Sequence, residues 1–245
     1  MEVHQHVHSP RKKWTHYFWE FFMLFLAITA GFFMENQREH YVERQREKIY
    51  MKGLLHDLST DITVFSQHVV NGLENHRRMD SLIQLLKEYK PGESTADLYY
   101  LARTLWGKLD RLQYNIRTYN QMKSSGSLRL IHNQSVLDSI SKYFESLQWI
   151  DLQNLIRIER QTLYGLEIGE VFNAWTIDSI FNVNFKKPIS APPLLTTEKL
   201  SLNRFIIRLH ALKGVDNYIL KRTANEYIPE AKKLITLIKN EYHLK

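Results

Sequence analysis

The first run of apolar positions in the chain is continuous rather than periodic. Residues 17–34, YFWEFFMLFLAITAGFFM, contain one charged side chain, Glu20. A helix of this length rises about 27 Å, close to the roughly 30 Å hydrocarbon core of a bilayer. We therefore expect residues 17–34 to form a transmembrane helix, so that the lipid bilayer is the first partner of the chain.

The position of Glu20 is compatible with a membrane span. Glu20 lies near the start of the segment beside Trp19, an aromatic residue of the kind that favours the membrane surface. Its carboxylate can reach the lipid headgroups or pair with His16 one turn earlier. A cleaved signal peptide is the main alternative, because a basic start followed by an apolar core directs export. The apolar residues 31–34 that follow Ala30 do not resemble a polar mature start, which disfavours cleavage there.

Basic residues flank the segment on both sides, so their number does not decide its orientation. They are Arg11, Lys12 and Lys13 before it, and Arg38, Arg44, Arg46 and Lys48 after it. The short N-terminal tail, with its charges directly against the apolar start, is typical of a signal anchor. We expect a single-pass protein of the bacterial inner membrane with a cytoplasmic N-terminus and a periplasmic C-terminal domain.

Beyond residue 34 the apolar positions become periodic. Steps of four and three residues connect a seam of Met51, Leu55, Leu58, Ile62, Phe65 and Val69, which is the period of an amphipathic helix. The seam continues to Lys90-Pro91-Gly92, which should end the helix. This stalk helix either forms a parallel coiled coil with a second copy or packs against later helices of the same chain.

Three further helices are predicted. The second starts at Ser94, where Ser94 and Asp97 have capping-box spacing, and runs through Leu98 to Ile116, ending near Ser125-Gly126. The third opens at Ser135, with Asp138 at the same spacing. Its apolar face carries Leu137, Ile140, Phe144, Leu147, Leu152, Leu155, Leu163 and Leu166.

The last predicted helix follows a proline-containing linker, residues 186–193. Thr197 is its expected cap, and Pro229 should kink or split it because proline lacks an amide hydrogen and its ring displaces the preceding turn. Its apolar residues are Phe205, Leu209, Leu212, Ile219, Leu234 and Ile238.

Strand signals are nearly absent, since the sequence has no sustained alternation and no hairpin turn. The predicted fold class is all-α: one N-terminal transmembrane helix continuing into a long stalk helix and an antiparallel bundle of about four helices. The expected organisation is a short His-rich basic tail (residues 1–16), the transmembrane helix (residues 17–34) and one helical stalk and bundle domain (residues 35–245).

Composition narrows the possible partners. The formal net charge is +7, but acidic residues are mixed among the basic ones without a dense basic block, which disfavours nucleic acid. Cysteine is absent from the sequence, so no disulfide framework exists. Within the apolar run, Ala27 and Gly31 have the small-residue spacing that lets two membrane helices approach closely. A homodimer through this face and through the Met51–Val69 seam is therefore possible.

Candidate chemistry is sparse, and we expect no catalytic, cofactor-binding or metal-binding residue. His4, His6 and His8 would project to one side of an extended tail and could hold a metal ion, although a solvated tail is the simpler interpretation. His56 beside Asp57, with Asp61 one turn on, could form an acid–base pair, but surface helices carry such neighbours routinely.

Glu167 and Glu170 lie one turn apart between Gly165, Gly169 and Trp175, so an enzyme that uses them as paired carboxylates is a further alternative. A solvated helix edge is again the simpler interpretation. The sequence contains no His-Glu-x-x-His motif, no nucleophile elbow and no phosphate-binding glycine-rich loop.

One segment carries a resemblance. Residues 119–133, YNQMKSSGSLRLIHN, resemble the central signature of a domain-of-unknown-function family of single-pass helical membrane proteins from Bacteroidota. The charged residues Glu35-Asn36-Gln37-Arg38-Glu39 after the apolar run and the amphipathic residues 231–238 agree with that family. The resemblance implies membrane attachment and a helical fold, and it implies no reaction. The chain departs from the family in its His-rich start and in lacking a paired Asn and a Trp after the span.

The same segment predicts a corner in the chain. Gly126 suits a helix stop in the left-handed conformation, and Leu128, Leu130 and Ile131 are expected to pack this corner.

The expected function is that of a non-enzymatic, membrane-anchored helical module of the cell envelope. Such a scaffold or interaction protein would self-associate or contact another, unidentified envelope protein. The alternative is a ligand-sensing four-helix extracytoplasmic domain that relays through a partner. The least favoured hypothesis is an enzyme that uses His56 and Asp57 or Glu167 and Glu170.

Overall fold

The computed structural model describes residues 14–107 and 111–244, and within these ranges every regular element is a helix. The helices are α1 (Trp14–Glu88), α2 (Ala96–Gly107), α3 (Arg117–Ser124), α4 (Gln134–Val171), α5 (Ala174–Asn182), α6 (Lys199–Arg222) and α7 (Ile228–Tyr242). A 3₁₀ turn (Ser127–Leu130) precedes α4, and a π-helical turn (Thr223–Tyr227) connects α6 to α7. The predicted all-α class, with a long N-terminal helix and a helical bundle, is confirmed.

The chain divides into two compact units, residues 1–49 and residues 50–245. The described part of the first unit, residues 14–49, is helical throughout. His16 Nε2 lies 3.1 Å from Glu20 Oε1, so the predicted pairing of these two side chains is confirmed. Arg38 pairs with Glu35 in the same way, one turn apart on the exposed helix surface.

The second unit contains two apolar cores. The first core includes Met51, Leu54, Leu58, Phe65, Met122, Ile140, Phe144, Leu147, Ile219, Leu234 and Ile238. The second core includes Met79, Leu82, Leu86, Tyr99, Tyr164, Ile168, Phe172, Phe205, Leu209 and Leu212. Helices α1 and α4 enter the first core with their earlier residues and the second with their later ones, whereas α6 does the reverse. Helix α6 therefore runs antiparallel to α1 and α4.

The Met51–Val69 seam belongs to the first core. Met51, Leu58 and Phe65 have no exposed surface, and Leu55 and Ile62 pack against the same core. Of the two interpretations of this seam, packing against later helices of the same chain is the one found. Because these side chains are occupied inside the bundle, a coiled coil with a second copy cannot use them in this fold.

The second predicted helix is wrong in its extent, because α2 ends at Gly107 and α3 begins only at Arg117. Two carboxylates of α1 stabilise the break. Asp61 Oδ1 accepts hydrogen bonds from the backbone N–H and the side-chain amide of Asn115, both at 2.8 Å. Asp57 Oδ2 accepts from the backbone N–H of Thr118 in the first turn of α3. Helix α3 has no local side-chain cap, so α1 satisfies an amide that its own flanking residues leave free.

The expected capping box at Ser94 does not form in the predicted way. Helix α2 starts at Ala96, and Thr95 precedes it with its hydroxyl donating to the carbonyls of Ala191 and Pro192. Asp97 instead lies 2.6 Å from the ammonium of Lys187. These contacts attach the start of α2 to the linker that follows α5.

Helix α4 was predicted to continue through Leu166, as it does, but with the wrong apolar face in its second half. Asn133 caps it, accepting from the amides of Ser135 and Val136, so the predicted Ser135 cap is two residues late. Leu152, Leu155 and Leu166 are exposed. The buried positions of this half are Ile150, Arg157, Gln161, Tyr164, Ile168 and Val171, because the core-facing stripe continues through two polar residues.

The C-terminal prediction is largely confirmed. Phe205, Leu209, Leu212, Ile219, Leu234 and Ile238 are all buried. The helix begins at Lys199 rather than beside the expected Thr197 cap, and Pro229 lies in the first turn of α7 after the π-helical turn. The π-helical turn divides the predicted helix in two directly before Ile228 and Pro229, where the proline lacks an amide hydrogen. Helix α5, which Asn173 caps, was not predicted.

The corner at Gly126 is confirmed. Gly126 has φ +67°, in the left-handed region that favours glycine, and it separates α3 from the 3₁₀ turn. Leu130 and Ile131 are buried beyond it, and Leu128 packs against the first core. The hydroxyls of Ser125 and Ser127 lie 2.7 Å apart across this corner.

Gly72 lies where α1 packs closely against Leu220 of α6. A Cβ atom at this position would lie 2.4 Å from Leu220 Cδ2 and 2.7 Å from Leu220 Cδ1. We expect Gly72→Ala to lower the free energy of unfolding by about 1–3 kcal/mol through overpacking. Urea unfolding of the protein in detergent would measure this change in the free energy of unfolding. Gly214→Ala is the matched control: a Cβ there meets nothing within 4 Å, so its gain in helix propensity should be neutral or stabilising. Equal effects at both sites would contradict the close approach.

Candidate functional site

The most extensive unexplained surface is the apolar N-terminal part of α1. It is the one helix in the described ranges long and apolar enough to cross a membrane, and none of its apolar window is buried. Large side chains point outward around its whole circumference, including Phe21, Leu24, Phe25, Ile28 and Phe33. A core helix of a soluble domain would bury at least one face, so this segment needs an apolar environment from outside the chain.

The small-residue face of this segment is open. Ala27 is exposed, and a Cβ at Gly31 would meet nothing within 4 Å. The face therefore leaves room for the backbone of a second helix to approach, as the spacing predicts.

The candidate acid–base group on α1 has a structural role in the fold. His56 is exposed, whereas Asp57 and Asp61 are buried and accept the hydrogen bonds that hold the break between α2 and α3. Arg117 also lies 3.9 Å from Asp57. His56 therefore faces solvent, whereas the two carboxylates are buried and accept hydrogen bonds from backbone N–H groups.

Asp61 is nevertheless electrostatically unusual. Burial raises the pKa of Asp61 to about 6, the two hydrogen bonds from Asn115 oppose that rise, and the charge of Asp57 adds to it. Its second oxygen, Oδ2, is buried without a hydrogen-bond partner in the described part of the chain. The ionised form of this carboxylate is thus held in the core at a cost in free energy.

A pH-dependent stability follows for Asp61. Because the folded pKa lies above the ordinary value for an aspartate, the folded state binds the proton more tightly, so stability falls as pH rises from about 4 through 6. The difference between a pKa of about 6 and the ordinary value of about 3.9 corresponds to about 3 kcal/mol of stability. Asp61→Asn keeps an acceptor for Asn115 without the charge. We expect it to lose this slope in urea unfolding between pH 4 and 7.

Comparison with the parent chain isolates the contribution of Asp61. Burial lowers the pKa of His76, which makes stability rise with pH over a similar range. That contribution is common to both proteins and cancels in the difference. Parallel pH profiles for the two proteins would show that Asp61 is not the source of the slope.

The two carboxylates of the second candidate pair have different environments. Glu167 lies 3.6 Å from Arg208 on α6, and Glu170 is exposed. Trp175 is exposed as well, so it does not enclose either carboxylate. No group of three histidine or acidic side chains with metal-ligand geometry occurs in residues 14–107 and 111–244. His4, His6 and His8 lie outside the described residues.

A polar layer lies between the two apolar cores. Arg157 on α4 donates to Asp216 on α6 at 2.5 Å, and both side chains are buried. Gln161, one turn further along α4, donates to the carbonyl of Trp106. On α4 these residues fall between Ile150 of the first core and Tyr164 of the second, so the ion pair fixes how α4 and α6 align. The sequence analysis missed this pair.

A concave site lies within the second unit, between α2, α4 and α5. Its cavity has a volume of about 400 Å³, and its walls are mostly apolar or aromatic: Trp106, Ile168, Phe172, Ala174, Ile177 and Phe181, with Gly165 and Gly169 on α4. The two ionisable side chains on its lining are Arg103 and Asp178. Pockets of this size and composition are typical of sites for small organic ligands.

Arg103 is held by aromatic rings. Its Cζ lies 5.1 Å from the ring centroid of Trp106, 4.7 Å from that of Phe181 and 5.1 Å from that of Phe185. Phe185 reaches this position with φ +61°, a conformation rare for a bulky side chain. Gly107 makes room, since a Cβ there would lie 2.5 Å from Arg103 Nη1.

Among the residues that the structure describes, none accepts a hydrogen bond from the guanidinium of Arg103. The side chain is 8% exposed, its Nε is buried without a hydrogen-bond partner, and no hydrogen bond or ion pair reaches any of its nitrogens from the described residues. Burial lowers the pKa of Arg103, and the charge of Asp178 acts in the opposite direction. Buried arginine is normally paired, so this arrangement is unusual.

Comparison with known proteins does not assign the chain to a family. Neither a protein-family model, nor a curated protein, nor a solved structure matches it.

Proposed function

We propose that this protein is a non-enzymatic, membrane-anchored helical module of the cell envelope. Residues 17–34 cross the bacterial inner membrane, with the N-terminus in the cytoplasm and the helical domain in the periplasm. The observation that carries the proposal is the apolar segment of α1 with none of its surface buried by the rest of the chain. Exposing that many large apolar side chains to water would oppose solubility, whereas lipid removes the cost.

Carbonate extraction of membranes tests the anchor. We expect the full chain to remain in the membrane pellet after washing at high pH and to be released only by detergent. Intact mass measurement of the membrane form should include residues 17–34. Release of the intact chain by carbonate, or a mature chain that lacks the apolar segment, would refute the anchor.

Fusions after Lys245 test the orientation. With the proposed topology, alkaline phosphatase is active at this position and green fluorescent protein is not, because the two reporters mature on opposite sides of the inner membrane. Fluorescence without phosphatase activity would place the helical domain in the cytoplasm.

The proposed action of the module is contact with a second copy or with another envelope protein. For the second copy we place the contact on the Ala27 and Gly31 face, because the buried seam residues of α1 are committed to the bundle. The exposed apolar surface and the open small-residue spacing support this choice.

Cysteine crosslinking in membranes tests self-association. Because the sequence contains no cysteine, a disulfide-linked dimer can form only through the introduced residue. We expect Ala27→Cys to give a crosslinked dimer upon oxidation. Thr29→Cys, about 200° around the helix, is the matched control and should crosslink much less. No dimer from either variant, or equal dimer from both, would argue against this face.

A further inference from the structure

We propose that the cavity around Arg103 is a binding site for a small monocarboxylate, with the carboxylate on the guanidinium and an apolar body against Trp106, Phe172 and Phe181. This site goes beyond the proposed anchoring function and does not depend on it. It would supply a binding site for the ligand-sensing alternative.

The main support for the proposal is the environment of the Arg103 guanidinium. Three aromatic rings offset part of the cost of burying the cation, because each ring face attracts positive charge. Rings cannot accept the full set of guanidinium N–H groups, which number five and lie in one plane. A carboxylate satisfies two of them at once in the bidentate arrangement that arginine forms best. The fold therefore holds a donor array ready for a planar anion.

The charge of Asp178 limits the negative charge that a ligand of this cavity can carry. Asp178 lies on the same lining and its charge already acts on Arg103. One oxygen of Asp178 accepts from the side chain of Asn182 at 2.8 Å. One arginine beside one carboxylate suits a monoanion better than a doubly charged phosphate, which would be repelled more strongly by Asp178.

The glycines of α4 shape the cavity. A Cβ at Gly165 would lie 2.2 Å from Trp106 Nε1, so the glycine lets the indole lie against the helix. A Cβ at Gly169 would meet nothing within 4 Å, so a larger side chain there would occupy the cavity without displacing a neighbour. An aromatic or short aliphatic body fits a volume of about 400 Å³.

Two variants separate a binding role of Arg103 from a structural one. Arg103→Met removes the unpaired charge and keeps most of the volume, so the ligand-free variant should unfold at a denaturant concentration no lower than the parent chain. Gly169→Leu fills the cavity and leaves Arg103 in place. Gly214→Leu is its matched control, because a Cβ at Gly214 also meets nothing within 4 Å and Gly214 is not on the lining of this cavity.

The experiment uses the purified full chain in lipid nanodiscs. The probes are phenylacetate, 3-phenylpropionate and hexanoate, with phenylacetamide as the neutral counterpart and phenyl phosphate as the dianion. Ligand-observed saturation-transfer NMR and titration calorimetry detect binding. We expect at least one carboxylate to bind at least tenfold more tightly than phenylacetamide and phenyl phosphate. Arg103→Met and Gly169→Leu should each weaken it at least tenfold, while Gly214→Leu leaves it unchanged.

Several results would overturn the proposal. They are failure of all three carboxylates to bind the parent chain, equal binding of phenylacetate and its amide, and unchanged affinity in Arg103→Met or Gly169→Leu. Tighter binding of phenyl phosphate would replace the carboxylate class with phosphate monoesters. A marked loss of stability in ligand-free Arg103→Met would make Arg103 a structural residue.

Discussion

Two arginines placed in the middle of the apolar segment, Leu24→Arg with Ile28→Arg, should move the protein from the membrane to the soluble or aggregated fraction. Each arginine at the centre of a spanning helix costs about 2.5–3.5 kcal/mol of insertion free energy, so the pair costs about 5–7 kcal/mol. Both positions are exposed on the helix, so the change should leave the bundle cores untouched. Carbonate extraction followed by immunoblotting of pellet and supernatant measures the shift.

The matched control places the same two changes further along α1. Val70 and Leu73 are also exposed apolar residues of this helix, and Val70→Arg with Leu73→Arg should leave the protein in the pellet. Retention of both double variants would show that residues 17–34 do not anchor the chain. Release of both would show that added charge, rather than its position, drives the change.

Asp216→Ala should lower the free energy of unfolding by about 3–5 kcal/mol, because it leaves Arg157 as an uncompensated charge between the two cores. Arg157 is 5% exposed and Asp216 is 6% exposed, so water cannot replace the lost carboxylate without opening the layer. Urea unfolding followed by circular dichroism in detergent measures the change.

Asp80→Ala is the matched control, since Asp80 on α1 forms an ion pair at the surface with Lys213 on α6, the helix that also carries Asp216. An exposed pair of this kind contributes at most about 1 kcal/mol. Arg157→Met combined with Asp216→Leu should be less destabilising than Asp216→Ala alone, because no unpaired charge remains in the core. Similar losses for Asp80→Ala and Asp216→Ala would contradict the role given to burial.

Some of the buried polar residues could have been predicted. Leu54, Asp61 and His68 follow one another at steps of seven, three residues after Met51, Leu58 and Phe65, and all six side chains are buried. A polar residue at a helix position that faces the core is buried, and a buried polar group requires a hydrogen-bond partner. Ile150, Arg157 and Tyr164 on α4 show the same spacing. The spacing of the leucines instead predicts a face with Leu152 and Leu155, and both are exposed.

The sequence pattern gives no comparable indication of the cavity around Arg103. Arginine on an amphipathic helix is usually solvated, and the rings of Phe181 and Phe185 that surround it lie about 80 residues further along the chain. Phe185 also adopts a left-handed conformation that its residue type disfavours. Only packing of α5 against α2 brings these groups together.

The sequence by itself determined the features that depend on neighbouring residues. These are the apolar run at 17–34, the helical periods, the stop after Glu88 before Lys90-Pro91-Gly92 and the left-handed Gly126, each of which follows from local backbone preference and side-chain spacing. The tertiary structure alone decided the break between α2 and α3, the Arg157–Asp216 pair and the Arg103 cavity. The physical reason is that the partner of a buried polar group lies far away in the chain: Asp57 accepts from Thr118, and Arg157 donates to Asp216, across more than fifty residues in each case. Periodicity shows that such a side chain faces inward, but only the packed helices supply the atom that it meets.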